Sequence, residues 1–500
     1  MRYESTRGRA GSVESAEAVR RGLAPDGGLY LPEAMPAFGP GEVEGFAGRP
    51  YAEVAATVLG LYLSDYSRAE LDGIAAAAYS PQRFDTPEVA PLRDYDESAW
   101  LLELWHGPTA AFKDMALQVL PRLSVAAMRA GGSGRELVIL VATSGDTGKA
   151  ALEGFRDLAG TRVIVFYPEF GVSEMQRLQM ATQEGANVHA IGVEGGDFDV
   201  AQAGVKAIFS DEAFAARLAS RGFELSSANS INWGRLVPQI AYYATSYAEL
   251  LRRGAISPGE RVDVVVPTGN FGNILAAYYA RRMGVPLGRL VCASNANRVL
   301  TDFFESGEYD RRRPLRKTAS PSMDILVSSN LERLLYELAG RDPARLRLWM
   351  SSLAAEGAYR VGDEVRKAAA DVFWAGSCDE AGTTAAIARA WKERGILVDP
   401  HTAVALDVLE QYRRATGDGA KTIVASTASP YKFNAAVAAA VLGAGRAKGG
   451  DEFELLGLLE AETGIEAPAA LRGLRGKPAL HRRSCAPAAM RDTVASILGA

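Results

Sequence analysis

Four short stretches of the chain carry residue types that do chemistry. In "HGPTAAFKD" (106–114) a Gly-Pro turn and two alanines lead to Phe112 and Lys113. An ammonium set among small and apolar residues loses water, which lowers its pKa, and a lysine amine attacks a carbonyl carbon only when deprotonated. Lys113 is therefore a candidate for Schiff-base chemistry, although a solvated turn lysine has the same letters. "PTGNFGN" (267–273) follows the clearest buried-strand run and opens a helix. Gly269 and Gly272 there permit close backbone approach or positive φ, and the free N–H groups of a helix N-terminus, with its dipole, suit a phosphate. A plain glycine-rich turn shares the pattern. The stretch is neither a dinucleotide fingerprint, because G-x-G-x-x-G is absent, nor a Walker loop, because no Gly-Lys-Ser/Thr follows.

"TSGDTG" (143–148) is a second anion cradle, with the Ser144 and Thr147 hydroxyls beside backbone N–H groups; a carboxylate suits it, and so does an ordinary helix cap. "STASPYKF" (426–433) puts Ser426, Thr427 and Ser429 at the end of a strand, where a hydroxyl can hydrogen-bond a ring nitrogen without protonating it. Taken singly, each stretch has a bland explanation. A dehydrated lysine, a phosphate cup, a carboxylate cradle and a hydroxyl cluster together match what pyridoxal 5'-phosphate and an amino-acid substrate require.

The elements that must position these stretches repeat one grammar: a β-branched run, a Gly- or Ser-rich turn, then a helical pattern. "ELVILVA" (136–142), "TRVIVFYPEFG" (161–171), "NVHAIGVEG" (187–195), "RVDVVVP" (261–267), "RLVCASNAN" (289–297) and "KTIVA" (421–425) are the strand runs. Helical periodicity follows the first from about Gly148, and Ser173 with Gln176 forms a capping-box signature for another helix. Continuous apolar runs alternating with helices predict parallel sheets with helices on both faces, a doubly wound α/β architecture. In such sheets ligands bind beyond the carboxyl ends of the strands, so the turns "TSGDTG", "PTGNFGN" and "STASPYKF" are where chemistry is expected. The expected organisation is a helix-rich N-terminal cap (1–95), a large α/β domain (96–135 and 230–440), a small α/β domain (136–229) and a C-terminal helical extension (441–500).

With 500 residues the chain is too long for one core. Hydrophobic residues at 48% and charged residues at 23% are ordinary globular usage, and a net charge of −5 argues against a broad nucleic-acid face. Cys292, Cys378 and Cys485 are far apart and lack metal-ligand spacing, which predicts reduced, structural thiols. The start has no signal-peptide core and no run reaches the roughly 18 apolar residues of a membrane span, so a cytoplasmic protein acting on small molecules is expected. His106, His189, His401 and His481 have no spacing for a metal, so none is expected. The basic run "RRRPLRK" (311–317) reads as a solvated loop.

The ordered set "YESTRG" (3–8), "GLAPDGGLYLPE" (22–33), "HGPTAAFKDMALQ" (106–118), "TSGDTGKAAL" (143–152), "NSINWGRLVPQIAYY" (229–243), "PTGNFGNILAAYYA" (267–280), "SSNLERLL" (328–335) and "STASPYKF" resembles the threonine synthases. These form a branch of the fold-type II pyridoxal-phosphate enzymes with a long N-terminal segment. The likeness covers the first 435 or so residues, and the last 65 show no matching motif. It implies that Lys113 bonds the cofactor aldehyde, that Gly269, Asn270, Phe271, Gly272 and Asn273 hold the cofactor phosphate, and that Thr427 meets the pyridine nitrogen. It further implies that Ser144, Gly145, Asp146 and Thr147 wrap the substrate carboxylate, with Asp146 near the cofactor's phenolic oxygen. Lys149, Arg235, Ser329, Asn330 and Arg333 are the candidates for a substrate phosphate. The implied reaction turns O-phospho-L-homoserine and water into L-threonine and phosphate, in a monomer or homodimer. A phospho-lyase or serine/threonine dehydratase giving a keto acid, and a catalytically silent homologue, are the alternatives.

Overall fold

The structure, a computed structural model, describes every residue except 133, 144, 170, 171 and 197. Two sheets organise it. The larger has six strands in the order Phe373–Ser377, Leu287–Ser294, Val262–Pro267, Thr422–Ser426, Ala99–Glu103, Leu92–Asp94. All neighbours are parallel except the last pair. The smaller sheet is parallel throughout, in the order Ser484–Cys485, Val188–Val193, Thr161–Pro168, Glu136–Ala142, Phe223–Ser226.

Strands with both faces covered need apolar residues at every position, which is why they read as runs and not as alternations. Val264 and Val266 face one core while Val265 faces another, as the period of two demands. The first of these cores is continuous across both sheets: Val264 and Val266 of the large sheet share it with Leu137, Ile139 and Val141 of the small one. The N-terminal segment packs into the same cluster through Tyr3, Tyr30 and helix Tyr51–Tyr62. Fold-type II architecture is what these sheets and their helices display.

Three expectations need correction. Residues 1–95 hold the expected helices, yet Arg2–Ser5, Val13–Glu14 and Tyr30–Pro32 also form an antiparallel sheet, and Leu92–Asp94 joins the large sheet. Strands of two to four residues are too short to show a period. The helix after Ala142 starts at Asp146, earlier than the periodicity suggested. The chain beyond 441 is more than an outer helical extension. Helix Glu452–Thr463 buries Leu455, Leu456 and Leu459 against the large sheet's second core. Ser484–Cys485 then adds a strand beside Val188–Val193, and helix Met490–Leu498 closes the small sheet's outer core with Met490, Val494 and Leu498. The capping box stands as expected: Ser173 accepts from the Gln176 N–H at the start of helix Glu174–Ala181.

Candidate active site

Strand Thr422–Ser426 ends beside the lysine loop and is stitched to it. Leu104 N donates to Ser426 O (2.9 Å), Phe112 N to Thr427 O (2.8 Å) and Ser429 N to Ala110 O (3.1 Å). These bonds set Lys113 and the Thr427 segment side by side although 314 positions separate the two residues in sequence. Lys113 leads into the short helix Asp114–Leu117. The Asp114 carboxyl accepts from Thr109 N and Thr109 Oγ1, both at 2.8 Å, and burial pushes its pKa up to about 6.

Lys113 is nine-tenths buried, and its Nζ donates to Asp146 Oδ2 (3.2 Å) and Ser322 Oγ (3.0 Å). Burial lowers its pKa, and the charges of Lys432 and Arg235 lower it further against the pull of Asp146. Asp146 sits in the first turn of helix Asp146–Phe155, entered through Gly145 at φ 137°, a conformation that side chains rarely adopt. A Cβ on Gly145 would also lie 2.5 Å from the Gln176 side chain. Burial alone would raise the Asp146 carboxyl, but Lys113, Lys432 and a hydrogen bond from Gln176 hold it well below the usual carboxylate range.

The turn expected to cup a phosphate follows strand Val262–Pro267. Ser328 Oγ donates to Gly269 O (2.7 Å), while Asn330 N (3.1 Å) and Asn330 Nδ2 (2.9 Å) donate to Asn270 O. Tyr243 OH donates to Asn273 Oδ1. The positive φ expected of a glycine falls instead on Phe271, at 63°, which caps helix Gly272–Arg282. Packing of its ring against Phe304 and Phe373 accompanies that conformation. Gly269 serves close approach: a Cβ there would lie 2.4 Å from Ser322 O. At Gly272 a Cβ would meet only the Asn330 and Gln239 amides, at 3.6 and 3.8 Å.

Asn273 Nδ2 and Arg235 Nε are buried without a hydrogen-bond partner among the described residues. Arg235 donates through Nη1 to Ala228 O (2.9 Å), and burial, with no acid beside it among the described residues, pushes its pKa down to about 10. The Asn273 amide in the first turn of helix Gly272–Arg282, with a dehydrated lysine on a neighbouring loop, fits the phosphate and aldehyde of pyridoxal phosphate.

The remaining candidates divide. Asn330 braces the cup, and Arg333, fully buried, donates to Tyr30 O (2.9 Å), Ile231 O (2.6 Å) and Asn330 Oδ1, so its bonds run to framework oxygens. Ser329 Oγ lies 3.4 Å from Asn270 Oδ1. Lys149 binds Gln183 and sits 3.5 Å from Glu153. Thr427 is buried with its backbone holding the lysine loop, and Thr147 is half-buried in the first turn of its helix. Ser144 lies outside the described residues.

Sequence reasoning passed over Lys432, Ser322, Gln176 and His401. Lys432 lies inside "STASPYKF", where the hydroxyls are the visible signal, and the spacing of Gln176 from Ser173 signals only a cap. His401 Nε2 accepts from Ser322 N (3.2 Å) while Nδ1 faces Asp399 Oδ2 (2.5 Å), so the ring fixes the segment that carries Ser322. No motif marks that pair. Away from the site, His106 bridges Asp85 (2.6 Å) and Glu103 (2.9 Å); burial works against its charge, but these carboxylates lift its pKa to about 9. Cys378 is a buried thiol pushed up to about 12 by burial. Among the described residues no His, Cys, Asp and Glu cluster could hold a metal ion, and no helix is long and apolar enough to cross a membrane.

Comparisons with known proteins bear on the family and its cofactor. The family model described as pyridoxal-phosphate dependent enzyme matches residues 84–428, threonine synthase N terminus matches 2–79, and threonine synthase, C-terminal matches 402–477. The likeness thus continues past residue 435, where the motifs stop. Threonine synthase of Pseudomonas aeruginosa is 41% identical over 89% of this chain and 91% of its own length. Human threonine synthase-like 1 is 41% identical over 84% of this chain, which spans only 57% of that relative's length. The crystal structure of PLP-bound threonine synthase from Brucella melitensis superposes with a TM-score of 0.87 at 36% identity, covering 100% of this chain and 98% of that one. The yeast threonine synthase structure gives a TM-score of 0.88 at 31% identity, with the same coverage. With its N-terminal segment, its central region and its C-terminal segment each matched by a family model, the chain belongs to the threonine synthase family of pyridoxal-phosphate-dependent lyases.

Proposed function

We propose that the protein is itself a threonine synthase, releasing phosphate from O-phospho-L-homoserine and adding water to give L-threonine. The observation that carries this reading is the pair of separate candidate anion sites around one dehydrated lysine: the turn at 269–273, and buried Arg235, which has no acid beside it among the described residues. One phosphate is the cofactor's. A second site suits a substrate that brings its own phosphate, and arginine offers a fork for it.

In this reading the unit of residues 96–135 and 230–440 holds the cofactor, and that of 136–229 holds the substrate carboxylate. Gly269, Asn270, Phe271, Gly272 and Asn273 would cradle the cofactor phosphate, Thr427 would meet the ring nitrogen, and Lys113 would hold the aldehyde carbon. When bound, the cofactor supplies an electron sink that makes protons beside the amino-bearing carbon acidic. Lys113, once free, takes the proton from the substrate Cα. Its lowered pKa leaves it unprotonated more often near neutral pH, as that role requires. The Gly145–Thr147 turn orients the carboxylate, and Ser322 holds Lys113 Nζ in line. Free, buried thiols at Cys292, Cys378 and Cys485 fit a reduced, cytoplasmic setting.

The test is incubation of the cofactor-loaded protein with O-phospho-L-homoserine and measurement of amino acid, keto acid and phosphate. Threonine equal to phosphate supports the reading. A second reading is a phospho-lyase that ends in 2-oxobutyrate, which would use the same lysine and the same two anion sites; that relatives named threonine synthase-like 1 also match this chain keeps it open to test. Oxobutyrate with phosphate would select it, and no product would favour a silent homologue.

A further inference from the structure

We propose that Lys432 is a positioning residue of the reaction centre, a standing counter-ion that keeps Asp146 ionised and in place whenever Lys113 is uncharged. The inference rests on the assignment of Lys113 to the cofactor aldehyde made above.

The two oxygens of Asp146 face opposite ways. Oδ2 meets Lys113 Nζ (3.2 Å) and Ser322 Oγ (3.3 Å), on the side where bonds change. Oδ1 meets Lys432 Nζ (2.8 Å) and Gln176 Nε2 (2.9 Å), on the rear. Lys432 is fully buried and its other bond runs to Thr109 O (3.0 Å). The pair joins the two sheets, because Lys432 lies in the turn after Thr422–Ser426 and Asp146 opens the helix after Glu136–Ala142.

Lys113 must lose its proton to bond an aldehyde or to take a proton from carbon. A carboxylate as deeply buried as Asp146 would then be left without a cation if Lys113 were its only partner, and an unpaired buried charge protonates or pulls its segment away. Lys432 removes that cost at every stage. Its second effect is repulsion, since two ammonium groups on one carboxylate make the outer one easier to deprotonate. The charged groups facing Lys113 are Asp146, Lys432 and Arg235. Those facing Lys432, besides Asp146, include Asp114 and Lys149.

The test reads the acidity of Lys113 directly. Full-length protein freed of cofactor, and shown to reload, is treated with a limiting amine-acylating reagent across the neutral to alkaline range. Labelling of the Lys113 peptide is then followed by mass spectrometry. Lys432→Met and Lys432→Gln should slow labelling of Lys113 at a fixed pH below its midpoint by about tenfold, one unit of pKa, while Lys432→Arg stays within a few fold. A tie that merely joined the sheets would lower the melting temperature in both neutral variants and leave the labelling midpoint alone, and that result overturns the inference. If neither neutral variant folds, Asp146→Asn is read instead: labelling must move to lower pH, and an unmoved midpoint overturns it equally. Borohydride fixation of cofactor in the wild type separates the two levels. Fixation on a lysine other than Lys113 sinks the site assignment itself, whereas fixation on Lys113 with unmoved midpoints sinks only the role of Lys432.

Discussion

The turns after Ala142 and after Pro267 look alike in sequence, each a glycine-rich passage from buried strand to helix, but the structure builds them by different physics. Around 269–273 the bracing donors are neutral: Ser328, Asn330 and Tyr243 hold the backbone and Asn273, and Asn273 Nδ2 has no partner among the described residues, which leaves it for the anion proposed above. Around 145–148 the turn is organised by charge, with Asp146 between two ammonium groups. A neutral cage suits an anion that is bound and kept. A charged cluster suits a place where protons come and go, because its members change each other's acidity.

The largest effect should come from the charged side. Lys113→Ala is expected to abolish turnover and the long-wavelength absorbance of bound cofactor, both read in the purified variant; retained activity would break the comparison at once. The neutral side is split by its glycines. Gly269→Ala drives a Cβ against the Ser322 carbonyl and should cost about 1–3 kcal/mol of stability, read by unfolding without cofactor. Gly272→Ala meets only ordinary contacts, so stability should change by less than about 0.5 kcal/mol. Its Cβ enters the space assigned to the phosphate, so cofactor affinity should fall about tenfold. Equal behaviour of the two variants would erase the distinction between a packing glycine and a binding one.

Arg235→Lys sharpens the account of the second anion. It keeps the charge and loses the fork, so KM for O-phospho-L-homoserine should rise about tenfold while cofactor affinity holds. The smallest effect concerns Glu452, whose Oε2 accepts from Met175 N (3.0 Å) on the helix that carries Gln176. Burial pushes its pKa up to about 7 from an ordinary 4.5, with Glu174 adding to the rise. The folded state thus binds this proton more tightly than the unfolded one. Its contribution is present below about pH 4.5 and is lost as pH rises through about 7. Glu452→Gln should flatten that slope and gain roughly 1 kcal/mol at neutral pH, allowing for partial solvent screening. An unchanged pH–stability curve would contradict it.

Much of this was legible in the letters, and where it was not the reason is physical. Strands such as Val262–Pro267 and Glu136–Ala142 announce themselves because burial on both faces demands unbroken apolar runs. Ser173 and Gln176 announce a helix start through their spacing, but nothing local shows that Gln176 also reaches Asp146. The cup was visible as a glycine pattern, while its left-handed residue proved to be Phe271, because the ring's packing and not local preference decides that position. Ser484–Cys485 is two residues long and gains its partner only from the distant strand Val188–Val193, so no window could reveal it. Lys432 was in plain view, yet its meaning depends on a carboxylate 286 positions away.

The most direct test of the central claim, carbon–oxygen cleavage by a lysine-centred site with two anion pockets, is turnover of O-phospho-L-homoserine in oxygen-18 water. Breaking the carbon–oxygen bond and adding water to the neighbouring carbon predicts heavy oxygen in the threonine hydroxyl and none in the newly released phosphate. Heavy oxygen in the phosphate, with homoserine as the other product, would mean hydrolysis at phosphorus and would contradict the account.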